Sequence, residues 1–135
     1  MNLFAYGTLM WPEVLQSVAG RRLEGTPAIL EGYQRLRVVD QHYPVVVPSS
    51  GDAVEGMLYL NLTEREFRFL DAFEGEEYDR IEVGIGCETA FVYVLAEAWR
   101  HIAADVPWST DQLTAEHLSA FCSEYKGWAE MRSRE

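Results

Sequence analysis

With 135 residues, 48% of them hydrophobic and 13% aromatic, residues 1–135 read as a single packed domain, able to bury about two-thirds of its unfolded surface without a metal or disulfide staple. Twenty-two acidic residues against eleven basic ones give a net charge of −11. That balance repels phosphate backbones, and the scattered arginines form no membrane-binding stripe, so neither nucleic acid nor a membrane is expected as a partner.

In chain order, Leu3 to Tyr6 reads as a short buried strand that breaks at Gly7. The opening stretch carries no basic leader and its apolar run is short, so neither a signal peptide nor a membrane span is expected, and the default compartment is the cytoplasm. The Asn61-Leu62-Thr63 sequon then has no expected bearing on glycosylation. Pro12 suits the first turn of a helix with an apolar face of Val14, Leu15 and Val18, which Gly20 stops. From Ala28 to Leu60 the chain is strand-like, with Arg35, Arg37 and Val39 alternating against Leu36 and Val38. Tyr43 to Pro48 is a short apolar run bounded by prolines, which favours an edge strand or a bend, and Gly51-Asp52 marks a turn before a strand over Val54–Leu60.

Thr63 and Glu66 form a capping box with Leu62 stapling to Phe67, so a helix is predicted from Thr63 to Phe73, terminated near Gly75. Tyr78–Ile85 and Thr89–Leu95 alternate as two strands of a hairpin joined near Gly86. Asp105 to Asp111 reads as a loop, and Thr114 caps a last helix carrying Leu118, Phe121, Cys122 and Tyr125 and ending at Gly127. Cys87 and Cys122 read as buried apolar residues of a reducing compartment, with a disulfide left open. Strands outnumber helices, about three in all, and the expected class is α+β with a curled, barrel-like mixed sheet.

Metal ligation has no local support: His42, His101 and His117 show no i, i+4 pair and there is no Cys-x-x-Cys. Gly84-Ile85-Gly86 is too short for a dinucleotide fingerprint, and no Gly-x-Ser-x-Gly elbow is present. Two places stand out instead. At Tyr6-Gly7-Thr8-Leu9 a strand ends in a glycine just ahead of a helix, where backbone N–H groups could face a ligand; an ordinary strand-to-helix turn reads the same way. At Asp71-Ala72-Phe73-Glu74-Gly75, acids gather where a helix terminus prefers bases. Solvated surface acids would look alike, but between Phe73 and Tyr78, Glu74 is placed for partial desolvation. Burial, like charges and the helix dipole would each raise its pKa toward that of a general base.

These residues, with Met10, Pro12-Glu13-Val14-Leu15, Gly20-Arg21, Ala28 to Tyr33, Tyr43-Pro44, Val54-Glu55-Gly56, Leu70 to Gly75, Tyr78-Asp79-Arg80 and Ala90 to Val94, resemble the γ-glutamyl cyclotransferase-like superfamily, which includes γ-glutamylamine cyclotransferases and AIG2-like proteins. The resemblance covers roughly residues 3 to 95 and not the segment from Trp99 onward. It implies a small mixed barrel-like fold, no cofactor, and a single essential carboxylate. By motif, Glu74 would be the general acid/base, Tyr6, Gly7, Thr8 and Leu9 would hold a γ-glutamyl substrate through backbone amides, Asp71 would be structural, and Tyr78 and Arg80 would line or brace the pocket. The implied reaction closes the γ-glutamyl group to 5-oxoproline and releases an amine or amino acid. Two other readings stay open: a small-molecule-binding or stress-associated protein that keeps the pocket without turnover, and a related lyase that removes a γ-glutamyl protecting group.

Overall fold

The computed structural model describes residues 1–39 and 43–108. Six strands form one mixed sheet in the order β4-β5-β1-β3-β2-β6, where β1 is Leu3–Ala5, β2 Thr26–Val38, β3 Pro44–Tyr59, β4 Tyr78–Ile85, β5 Glu88–Leu95 and β6 Ala103–Pro107. Neighbours pair antiparallel except β1 and β5, which run parallel. Helices α1 (Pro12–Ala19) and α2 (Glu64–Glu74) join two 3₁₀ turns, Thr8–Met10 and Glu97–Ile102. The class is the expected α+β fold with a curled mixed sheet. The helix predicted over Thr114–Gly127 lies outside the described residues, as do His42, His117 and Cys122. Among the described residues, no helix is long and apolar enough to cross a membrane.

The curl follows from the sheet having two apolar faces and burying them in different ways. One face carries Leu3, Ala5, Tyr59 and Tyr93 against Val14, Leu15 and Val18 of α1 and Phe67 and Leu70 of α2. On the other, Phe4, Leu30, Val54, Leu58, Val92 and Val94 meet one another and Ile81 and Val83 of β4. Side chains of five strands can share one cluster only if the sheet bends back on itself, which brings β4 toward β2. β1 therefore has no solvent face, and its three residues are all buried.

Several local expectations change. The Pro44–Pro48 run is the start of the long strand β3; it pairs with Tyr33–Arg37 of β2 on one side, while β1 pairs with β3 only at Met57–Tyr59, so the run keeps the edge character its prolines favour. The turn expected at Gly51-Asp52 is a bulge inside continuous β3. Ser49 to Asp52 stand opposite Gly32 alone, between the Glu31/Ala53 and Tyr33/Pro48 pairs. Residues 105–107, expected as a loop, belong to β6, whose pairing with Leu36 and Val38 of β2 supplies the order that local propensity lacks. Pro107 is tolerated because β6 is an edge. Cys87 is exposed in the β4–β5 turn and not buried, with its thiol free.

The helix carrying the acidic motif is anchored at its first turn. Glu66 N–H donates to Thr63 Oγ1 at 3.1 Å, and Thr63 N–H to Glu66 Oε1 at 2.8 Å, closing the predicted capping box. Arg21, just past α1, then donates from Nε and Nη2 to both Glu66 oxygens at 2.8 Å. This fork ties the end of α1 to the start of α2 and holds the Glu66 carboxyl below its usual range.

Gly56 lets β1 sit against β3. A Cβ there would fall 2.3 Å from the Ala5 carbonyl oxygen and 2.7 Å from Cζ of Phe4. Gly56→Ala is expected to lower stability by about 1–3 kcal/mol through overpacking, measured by urea denaturation. A loss below about 0.5 kcal/mol would mean that β1 is not seated there.

Candidate active site

Beyond Ala5 the chain leaves β1 and winds into the 3₁₀ turn. Met10 N–H donates to the Gly7 carbonyl at 3.0 Å and Trp11 N–H to that of Thr8 at 3.2 Å, so the turn's own bonds leave the Thr8 and Leu9 amides unused. The buried Tyr59 hydroxyl lies 2.9 Å from the Leu9 and Met10 carbonyl oxygens, sharing its proton between them and pinning the turn from behind. Gly7 has φ −128°, so what it contributes is room: a Cβ would stand 3.0 Å from Cγ and Cδ of Pro44.

The far end of α2 arrives opposite this turn. Glu74 is the last residue of the helix, and Gly75 N–H caps it on the Asp71 carbonyl at 3.1 Å. Both features open onto one cavity of about 500 Å³. Tyr6, Gly7, Thr8, Leu9, Glu74 and Tyr78 all line it. Arg80 does not. Its guanidinium lies over the rings of Phe67 and Phe91, 4.8 and 5.0 Å from their centroids, with Nε 3.5 Å from Asp71 Oδ1. Asp71 in turn accepts from the Tyr93 hydroxyl at 2.7 Å. Arg80 and Asp71 thus brace a wall residue from outside the cavity.

Glu74 keeps part of its surface open to the cavity, while the protein atoms packed around it push its carboxyl up to about 8. Burial is the cause. The crowd of acids that the sequence suggested as a second contributor supplies no comparable shift here. No hydrogen bond from a described residue compensates the carboxyl, so its charged form lacks the donors that would hold it ionised.

Four tyrosines surround this group. Burial raises the hydroxyls of Tyr6, Tyr43, Tyr78 and Tyr93, and the Glu74 charge raises each of them further. They stay neutral and act as spacers and donors. The Tyr6 hydroxyl donates to the Tyr93 carbonyl, and that of Tyr78 to the Pro44 carbonyl at 3.3 Å. A bond thus crosses from β4 to β3 and fixes the Tyr43–Pro44 wall. The Tyr6 carbonyl accepts from Arg35 Nη1 at 2.8 Å, which steadies the residue just before the turn.

Sequence reasoning did not assign Tyr43, Phe73, Glu77, Tyr93 or Ile102 to the cavity, yet all line it. Tyr43 and Tyr93 lay inside the strings that carried the resemblance, and a polar-tipped aromatic there was an available signal. Ile102 closes a 3₁₀ turn that no local pattern announced.

Comparison with known proteins bears on the family and the fold. A family model described as gamma-glutamyl cyclotransferase, AIG2-like, matches residues 3–110, which extends the likeness beyond residue 95. AIG2-like protein A of Arabidopsis thaliana is 30% identical over 138 aligned positions, covering 98% of this chain and 84% of that protein. The solution structure of an Arabidopsis thaliana protein is 30% identical with a TM-score of 0.67, covering 97% of this chain and 91% of its own. A structure titled gamma-glutamyl cyclotransferase has a TM-score of 0.65 and covers 99% and 85% of the two chains, and at 17% identity it speaks to the fold alone.

A raised carboxyl has a thermodynamic signature. Below about 4.5, its ordinary value, Glu74 holds its proton folded or unfolded. As pH rises from there to about 8 the unfolded chain releases the proton while the folded one retains it, so stability falls across that window. Glu74→Gln removes the dependence. The melting temperature of the variant minus that of the parent should therefore grow between pH 5 and pH 8, by at least about 3 °C. A difference that does not change with pH would mean that the carboxyl is not desolvated.

Proposed function

The chain belongs to the gamma-glutamyl cyclotransferase, AIG2-like family, and from that premise we propose that it cyclises a γ-glutamyl group to 5-oxoproline and releases an amine. The observation that carries this reading is the Glu74 carboxyl, raised to about 8 by burial and facing the Gly7–Leu9 turn across one cavity.

In the reaction the α-amine of the substrate attacks its own γ-carbonyl carbon. A C–N bond forms to close the five-membered ring, and the bond to the leaving nitrogen breaks. The α-ammonium gives up two protons on becoming the ring N–H, and the leaving nitrogen gains two to depart as an ammonium. Glu74 carries these protons one at a time. Ring closure is intramolecular, so the substrate itself supplies much of the ordering, an effect worth up to about 7–11 kcal/mol when the reacting atoms are well oriented.

Proton transfer is the step that the protein must improve. An ordinary glutamate near ~4.3 lies about 3.7 units below an α-ammonium near ~8, a mismatch of roughly 5 kcal/mol. With Glu74 at about 8 the mismatch disappears. The Thr8 and Leu9 amides, unused by the turn, hold the substrate carboxylate or the oxyanion that develops on the γ-carbonyl. Tyr59 keeps those amides in place, and the Arg80–Asp71–Tyr93 brace keeps the opposite wall from relaxing.

Glu74→Gln preserves shape but cannot accept the ammonium proton. Turnover of a γ-glutamyl amide should fall on the order of 10²–10⁴-fold, while binding of the ligand by calorimetric titration should persist. Turnover like that of the parent would remove Glu74 from the mechanism, and binding without turnover in the parent itself would leave a binding protein.

The pH profile follows from the same matching. The reactive complex holds one proton between Glu74 and the amine, so kcat/KM should peak near pH 8 and decline on both sides, to acid because both groups are protonated and to base because neither is. A plateau reaching down to about pH 5 would mean an unshifted carboxylate.

A further inference from the structure

The cavity has a second carboxylate that the cyclisation does not use. Glu77 lines it two residues beyond the Gly75 cap, its side chain folded back over that glycine. Across from it stands Tyr43, also in the lining, with 42% of its surface still exposed. The two are close enough for the Glu77 charge to act on the Tyr43 hydroxyl. Leu9, Tyr6 and Tyr93 are buried, so Tyr43 and Glu77 mark the mouth and the buried residues the floor.

A γ-glutamyl group held with its carboxylate at the Thr8–Leu9 amides and its ammonium at Glu74 must send its leaving amine out through that mouth. We propose that Glu77 and the ring of Tyr43 form the leaving-group subsite, and that it selects amines bearing a second, distal ammonium over those bearing a carboxylate. The inference rests on the cyclisation reading above and adds to it the charge of the released amine.

The chemistry of the mouth supports this choice. A distal ammonium meets a carboxylate on one side and an aromatic face on the other, a pairing that suits alkylammonium groups. A distal carboxylate would meet Glu77 as a like charge. Among the described residues the lining holds no arginine, lysine or histidine to offset that repulsion. Arg21 is engaged on Glu66, Arg35 on the Tyr6 and Glu55 carbonyls, and Arg80 on Asp71 and two rings, so none of these three stands in the mouth. The net charge of −11 also draws cationic substrates toward the protein.

The test uses three amides of the glutamate γ-carboxyl that share a four-carbon stem and differ only at its end: an ammonium, a methyl or a carboxylate. Release of 5-oxoproline is followed for each on the full chain and on two variants. Wild-type kcat/KM should favour the ammonium-ended amide over the carboxylate-ended one by more than about tenfold. Glu77→Gln should bring that ratio to within about threefold of unity. Tyr43→Leu should lower the preference for ammonium over methyl by about two- to fivefold. Equal kcat/KM for the two charged amides in the wild type, or an unchanged ratio in Glu77→Gln, overturns the proposal. Should none of the three amides give 5-oxoproline, the cyclisation reading fails separately. Calorimetric titration of the same amides then decides the subsite: a preference for ammonium that Glu77→Gln abolishes supports it, and equal affinities or no binding overturn it.

Discussion

A carboxyl surrounded by protein atoms and short of donors costs free energy, and the rest of the fold has to hold it there. Glu74 is in that position at the very end of α2, where fraying would otherwise let it swing into water. What prevents this lies at the other end of the helix. The Thr63–Glu66 box and the Arg21 fork fix the first turn, and Phe67 and Leu70 bury the middle in the core beneath the sheet. With its start and middle fixed, the helix has only one place to put its last residue. The Arg21–Glu66 pair therefore matters less for any stability of its own than for the placement of a group about two turns away.

The second partner of the site is placed by an equally indirect device. β1 has only three residues, too few to be stable alone, but it is paired on both sides and buried on both faces. Its exit direction is thereby set, and with it the position of the Tyr6–Leu9 turn. The curl of the sheet then matters chemically. Because β4 folds toward β2 and β3, the Tyr78 hydroxyl reaches the Pro44 carbonyl and the mouth acquires a wall. A flat sheet with the same strand order would leave Tyr43 and Glu77 far apart. Rigid walls and a desolvated carboxyl suit a reaction whose entropy cost is carried by the substrate's own covalent connection.

Much of this was legible in the chain. α2 announced itself through Thr63, Glu66 and Gly75, because a capping box is a local device with a local spelling. α1 was framed in the same way by Pro12 and Gly20, and the β4–β5 hairpin by alternation around Gly86. Acids clustered at the wrong end of a helix pointed to Glu74, though the reason was only partly right: burial sets its pKa, and burial is a property of the folded neighbourhood. What local pattern could not carry were the features made by distant partners. β6 is a strand only because β2 offers it an edge, and the Gly51 segment is a bulge only because β2 continues opposite it. The cavity walls at Tyr43, Tyr93 and Ile102 belong to the same class. They come from three separate elements and converge only after the sheet has curled.

The account stands on one physical quantity, the affinity of Glu74 for its proton in the folded, unliganded protein. Carbon-13 NMR of the side-chain carboxyl carbons reads it directly when the protein is labelled at glutamate and the Glu74 signal is assigned by its loss in Glu74→Gln. A titration midpoint at about pH 8, well apart from the other glutamates, is the predicted result. A midpoint near 4.5, among the rest, would contradict the account, because Glu74 would then be an ordinary solvated acid at a helix end.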